Sequence, residues 1–91
     1  MTLTTNRGKT FEIGWIWATT RGGDRLMIEL ADNRPMAEIA ADFDQVETFE
    51  KTTTKMPGVK EVYAGYTRLV GMSRENAEGV IRLTLERNGA A

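Results

Sequence analysis

The chain has 91 residues, enough for one domain with a modest hydrophobic core. It contains no cysteine or histidine, which excludes disulfides, Cys/His zinc sites, thiol nucleophiles and imidazole acid–base catalysis. Its 12 basic and 13 acidic side chains give a net charge of −1, whereas binders of duplex nucleic acid usually carry a basic excess. We therefore expect one non-catalytic domain spanning residues 1–91, with no metal, no cofactor and no duplex-nucleic-acid partner.

Glycine-containing turns divide the first third of the chain into three predicted strands. Asn6-Arg7-Gly8 separates a short strand around Leu3 from an alternating strand at about 9–19. Arg21-Gly22-Gly23-Asp24 predicts a second turn, because adjacent glycines accept positive φ, and a strand follows at about 25–31. Short turns between neighbouring strands favour an antiparallel sheet.

The hydrophobic period changes after Pro35, which suits the first position of a helix. Apolar residues then recur along one helical face, at Met36, Ile39, Ala40 and Phe43. Glu38 lies near the N-terminus, where the helix dipole favours a negative charge. These features predict a short helix at about 35–42, directly after the third strand.

The second half of the chain is rich in β-formers. We predict a strand over about 46–54, a turn at Met56-Pro57-Gly58, a long β-prone run over 59–72 and, after a last turn over 73–79, a final strand over 81–86. Gly65 and Gly71 interrupt the long run, which indicates bulges or sharp bends. The predicted fold is therefore mainly β (α+β): about six antiparallel strands forming a small barrel or sandwich, with the helix over one end.

The second strand carries a stripe of large apolar side chains: Phe11, Ile13, Trp15 and Trp17. A period of two places all four on one face. We favour burial in the core, because large apolar side chains go inside. The alternative leaves one tryptophan, more readily Trp17, at the rim as a stacking platform or an oligomer anchor. Two tryptophans are hard to bury within one small subunit, which favours a homo-oligomer.

Aromatic and basic side chains form further candidate sites. Tyr63 and Tyr66 lie close in sequence to Arg68 and Arg74, and such a set can stack a nucleobase and bind phosphate. The alternative is an aromatic pair with solvated arginines. Three more arginines flank turns and either line an anionic pocket or solubilise loops: Arg21, Arg25 and Arg34. The carboxylates at Asp42 and Asp44 are interpreted as a solvated helix end, because no calcium-loop spacing surrounds them.

Several segments resemble small β-rich accessory proteins encoded by phages and prophages. They are Gly-Lys-Thr-Phe-Glu-Ile at 8–13, Leu-Met-Ile-Glu-Leu at 26–30, Arg-Pro-Met-Ala-Glu-Ile-Ala-Ala-Asp-Phe at 34–43, Gly-Tyr-Thr-Arg-Leu-Val at 65–70 and Val-Ile-Arg-Leu-Thr-Leu at 80–85. The resemblance covers nearly the whole chain and includes no catalytic signature. It implies a phage origin and one of three roles: particle component, inhibitor of CRISPR nucleases, or "sponge" for the nucleotide signals of bacterial immunity.

We therefore predict a non-catalytic, homo-oligomeric phage-encoded protein that sequesters a small anionic ligand, namely a cyclic nucleotide or an ADP-ribose-type signal. The aromatic rings would stack the base and the arginines would hold phosphate. The predicted ligand-binding residues are Trp17, Arg21, Arg34, Tyr63, Tyr66, Arg68 and Arg74. The alternatives are a virion structural or assembly protein and a protein–protein inhibitor of a host defence enzyme.

The sequence also bears on location. The first residues have neither the basic region nor the apolar run of a signal peptide. No stretch approaches the ~18 apolar residues of a spanning helix. We therefore expect no membrane association and a cytoplasmic location, in the host cell if the protein is phage-encoded.

Overall fold

A computed structural model describes residues 1–19, 22–53, 55, 58–75 and 79–87. Within these ranges the chain forms seven strands and one helix. In chain order they are β1 (Thr2–Thr5), β2 (Thr10–Ala18), β3 (Arg25–Ala31), α1 (Met36–Asp42), β4 (Thr48–Thr52), β5 (Lys60–Ala64), β6 (Tyr66–Arg74) and β7 (Val80–Arg87). The strands form one sheet in the order β5-β4-β1-β2-β3-β7-β6, and every pairing is antiparallel. The predicted mainly β fold, with one short helix after the third strand, is confirmed.

Gly65 changes the predicted architecture in two ways. Its φ of 86° lies in the left-handed region that glycine adopts most readily, so the predicted run over 59–72 becomes two strands and the sheet has seven rather than six. The two strands that it joins, β5 and β6, are the two ends of the sheet. No ladder pairs them within the described residues, so the sheet is curled but not closed into a barrel.

Gly14 lies at a β-bulge in β2. Ile13 pairs with Leu30, but Trp15 pairs with Glu29. β2 therefore advances by two residues where β3 advances by one. An extra residue in one strand moves the following side chains to the opposite face. The prediction of one four-residue core stripe is therefore wrong in its second half.

The exposure of the stripe follows this slip in register. Phe11 and Ile13 are buried, whereas Trp15 and Trp17 are 40% and 44% exposed. Ile16 packs against the core in their place, together with Ala18. The core interpretation thus holds before the bulge and fails after it.

The core lies between the inner face of the curled sheet and α1. The helix contributes Ile39, and Phe43 follows it; both are fully buried. The Phe43 ring lies 4.9 Å from Phe11 and 5.9 Å from Phe49, centroid to centroid. Such aromatic packing adds to the free energy of area burial. The helix is therefore fixed to the sheet mainly by its apolar side.

Candidate functional site

The outer face of β2, β3 and β7 carries the most exposed aromatic surface of the described chain. The inward residues of β3 and β7 alternate regularly and are buried, so the residues between them face outward. We call this outward surface the tryptophan face and define it by Trp15, Trp17, Met27, Glu29, Arg82 and Thr84. Exposed tryptophans are informative because soluble domains seldom leave large aromatic rings in water without a function.

The two tryptophans form a pair. Their ring centroids lie 6.4 Å apart and the ring planes are inclined by 24°. Trp17 lies opposite Met27 on β3, and Trp15 lies opposite Glu29. The strand backbone holds both indoles side by side before any ligand arrives, so a partner meets a preformed apolar surface.

An open groove of about 330 Å³ runs beside Trp15. Its lining residues are Trp15, Met27, Glu29 and Arg82. Arg82 Nε donates a hydrogen bond of 3.0 Å to Glu29 Oε2, and Glu75 Oε1 lies 4.0 Å from the same nitrogen. The guanidinium that flanks the groove is therefore already neutralised by carboxylates of the same chain.

A second group of ion pairs borders the tryptophan face. Arg25 and Arg68 both contact the carboxylate of Glu86, Arg25 with an Nε–Oε2 distance of 3.8 Å. Arg68 thus lies in the same charged border, as a partner of Glu86 rather than as an unpaired cation. Across the face and its border three arginines meet three glutamates, namely Arg25, Arg68, Arg82, Glu29, Glu75 and Glu86. The surface therefore has both signs of charge and no excess of either.

Arg34 and Arg74 lie elsewhere, around the loop that precedes α1. The Arg34 guanidinium binds the carboxylates of Asp32 and Asp42, each at 2.8 Å. The hydrogen bond from Arg34 holds the pKa of Asp32 below its ordinary value, and the same pairs raise the pKa of Arg34. Arg74 donates to the carbonyl oxygens of Asp32 (2.9 Å) and Arg34 (2.7 Å). These contacts hold the loop to β6 and engage both guanidinium groups within the chain.

The two tyrosines flank Gly65 and serve the fold. Tyr66 is buried, its hydroxyl donates to Gly23 O at 2.7 Å, and Arg87 lies over its ring at 5.3 Å from the centroid. Tyr63 is half-buried and donates to Glu61 Oε2 at 2.8 Å. Burial, with the Glu61 carboxylate second, raises the pKa of Tyr63 to about 12. Tyr66 is therefore enclosed by the fold, and both hydroxyl groups are already bonded within the chain.

The structure therefore does not bring the predicted ligand-binding residues together. Trp17 belongs to the tryptophan face and Arg68 to its charged border. The pairs Arg34/Arg74 and Tyr63/Tyr66 lie at two other places, and Arg21 lies outside the described residues.

Sequence reasoning missed four members of the tryptophan face. They are Met27, Glu29, Arg82 and Thr84. The signal for them was present, because alternation along the third and last strands places these residues opposite the core positions. An isolated glycine within a strand, here Gly14, was the corresponding signal for the bulge.

Among the described residues, no three or more acidic side chains come together as a metal site, and no helix is both long and apolar enough to cross a membrane. No protein-family model matches the chain, and no curated protein and no solved structure is significantly similar to it.

Proposed function

We propose that this protein is a non-catalytic binding protein that self-associates through its tryptophan face and acts as a component of an assembly. The observation that carries the proposal is the exposed, stacked pair of Trp15 and Trp17 within a charge-balanced sheet face. A chain without imidazole or thiol groups is poorly equipped for acid–base or nucleophilic catalysis.

The apolar centre supports a protein partner. Tryptophan, methionine and arginine are enriched at protein interfaces, and tryptophan and arginine dominate the binding energy there. All three types occur here, as Trp15, Trp17, Met27 and Arg82. Covering the two indoles would remove apolar area from water, which is favourable by about 25 cal/mol per Å² before the costs of association.

The charged border favours a second copy as that partner. A two-fold interface places the same patch on both subunits, so it must complement itself. Arginine and glutamate face each other across β3 and β7, on one side of the tryptophan pair, with Glu29 beside Arg82 and Glu86 beside Arg25. A copy turned by 180° can meet each arginine with a glutamate. An anionic nucleotide would instead have to displace the glutamate from each guanidinium.

Of the roles that the resemblance to phage proteins implies, this proposal favours the particle component, because that role requires self-association and no small-molecule pocket. One observation supports the alternative role as a nucleotide sponge: Trp15 and Arg82 line the same groove. Calorimetric titration with cyclic nucleotides and ADP-ribose distinguishes the two. If the protein stays monomeric and binds one of these nucleotides, and if Arg82→Ala abolishes that binding, nucleotide sequestration is favoured over self-association.

Sedimentation velocity over a range of protein concentrations tests the proposal. We expect the native chain to dimerise with a dissociation constant below about 100 µM. Trp17→Ser should raise that constant at least about tenfold. The control is Val62→Ser, which removes another exposed apolar side chain, from β5 on another part of the surface. A native chain that remains monomeric at about 1 mM, or a dimer that Trp17→Ser leaves intact, would overturn the proposal.

A further inference from the structure

Side-chain size decreases across the outer face of four neighbouring strands, from β2 through β3 and β7 to β6. Direct pairing partners form one row on this face: Trp17 on β2, Met27 on β3, Thr84 on β7 and Gly71 on β6. A Cβ added at Gly71 would lie 3.7 Å from Thr84 Cβ, so position 71 faces the same side as Thr84. The row therefore runs from the largest side chain to none.

The adjacent row has the same order at its two ends. It consists of Trp15 on β2, Glu29 on β3, Arg82 on β7 and Ser73 on β6. Both tryptophans thus lie at the β2 margin of the face, whereas the exposed positions at the β6 margin carry a glycine and a serine. One margin of the face projects into solvent and the other is low.

The charges between these margins allow two ways for two copies to meet. Because the two faces oppose each other, the two-fold axis lies in the plane between them. An axis parallel to the strands, between β3 and β7, places Glu29 opposite the partner subunit's Arg82. The same axis places Arg25 opposite the partner subunit's Glu86. An axis across the strands, through Met27, instead places Arg25 opposite the partner subunit's Glu29, which is equally favourable.

The sizes of the side chains distinguish these two directions. With the axis across the strands, Trp17 meets the partner subunit's Trp17 and Gly71 meets the partner subunit's Gly71. Two indoles would then oppose each other at one margin and leave a gap at the other, where atoms lose their dispersion contacts. With the axis parallel to the strands, each large side chain meets a small one. Well-formed interfaces pack as densely as protein interiors, which favours the parallel axis.

We propose that two copies pack with the two-fold axis parallel to the strands, between β3 and β7, so that each Trp17 lies on the partner subunit's Gly71. Each Trp15 then lies on the partner subunit's Ser73. The strands of the two sheets remain aligned, as they are in most face-to-face sheet packings. This inference rests on the proposed self-association and specifies how the two tryptophan faces meet.

Exchange of the large and small side chains tests this arrangement. Gly71→Trp places an indole against the partner subunit's Trp17 and should raise the dissociation constant of the dimer at least about tenfold. The double variant Trp17→Ser/Gly71→Trp moves the indole to the other margin, so that each indole again meets a small residue. We expect its dissociation constant to lie within about threefold of the native value. Val62→Trp adds an indole on β5, outside the face, and should leave the constant unchanged.

Sedimentation velocity measures these constants, and circular dichroism shows whether each variant is folded. Gly71 has no positive φ, so a side chain there is compatible with the strand backbone. Ser73→Trp, alone and combined with Trp15→Ser, repeats the test if Gly71→Trp does not fold.

The outcomes separate this arrangement from self-association itself. The arrangement is overturned if Gly71→Trp dimerises as tightly as the native chain, or if the double variant dimerises no more tightly than Gly71→Trp. Either result leaves a native dimer, and with it the proposed function, intact. A native chain that does not dimerise overturns both proposals.

Discussion

Trp15 lies opposite Glu29 in the ladder between β2 and β3, one residue out of step with the pairing of Ile13 and Leu30. This single slip turns two indoles from the core to the outer face of the sheet. The tryptophan face is thus a consequence of one extra residue in β2, inserted at Gly14.

Deletion of Gly14 tests this relationship. Without Gly14, Trp15 follows Ile13 directly, so strict alternation along β2 keeps Trp15 and Trp17 on the outer face in the observed register with β3. We therefore expect the deletion to change the free energy of unfolding by less than about 1 kcal/mol and to leave both indoles exposed. Urea denaturation measures the stability, and quenching of tryptophan fluorescence measures the exposure. Gly14→Ala is the control that keeps the extra residue: its Cβ would lie 3.8 Å from Glu29 Oε1, an ordinary contact, so its cost should also stay below about 1 kcal/mol. A deletion variant that buries its indoles or fails to fold would contradict the role of the bulge.

A side chain at Gly79, directly before β7, should destabilise the fold. Its φ is 86°, and an added Cβ would overlap Asn33 Oδ1 and lie 3.3 Å from Asp32 O. Gly79→Ala is expected to cost about 2–3 kcal/mol, from the left-handed backbone and the steric overlap together. Gly58→Ala has a similar φ of 85° with no atom within 4 Å, so it isolates the backbone part, about 1–2 kcal/mol. Thermal unfolding of both variants gives the comparison; equal losses would show that the overlap with Asn33 is relieved.

Tyr66→Phe should destabilise the fold although the ring remains. The hydroxyl donates to Gly23 O and accepts a hydrogen bond of 3.1 Å from Arg87 Nη2. Loss of a part-buried hydrogen bond with unsatisfied partners costs about 1–3 kcal/mol. Tyr63→Phe removes a bond to the exposed Glu61 and should change stability by less than about 0.5 kcal/mol. Chemical denaturation that ranks Tyr63→Phe as the more harmful change would refute this assignment.

The pair of Asp32 and Arg34 predicts a specific acid sensitivity. The hydrogen bond from Arg34 lowers the pKa of Asp32 in the folded state from its ordinary value of 3.8. A group with a lowered folded pKa stabilises the fold above its unfolded pKa and loses that effect as pH falls through the folded pKa. The advantage of the native chain over Asp32→Asn should therefore be constant near neutral pH and shrink below pH 3.8. Stability of both proteins against pH measures it, with Asp44→Asn as the unpaired control; a difference that does not vary with pH would rule out the linkage.

Local features of the fold were predictable because they depend on neighbouring residues. The turns around Gly8 and Gly22 and the helix after Pro35 follow from short-range patterns. The order of the strands was not predictable, because it places β1 beside β4 and β3 beside β7 through pairings distant in sequence. The bulge at Gly14 reversed the burial of the tryptophans, since a perfect alternation does not show where one residue is unpaired.

The candidate site was predictable only in part. Trp17 was correctly offered as an exposed alternative, because two indoles exceed what a small core accommodates. The ion-pair partners of the arginines could not be predicted, because they are distant in sequence or on another element. Arg34 pairs with Asp42 at the other end of α1, and Arg68 pairs with Glu86 on β7. The sequence shows which charged side chains are present. Whether each charge is neutralised depends on which strands and loops lie together in the fold.

The passage through Gly65 also has a consequence for how the strands are aligned. One residue separates Ala64, which pairs with Thr48, from Tyr66, which pairs with Arg87. A one-residue change in the register of β5 against β4 would therefore also shift β6 against β7, and it would turn Tyr66 out of the interior. The register of the β4–β5 pairing and the register of the β6–β7 pairing are thus fixed together, so one cannot change without the other.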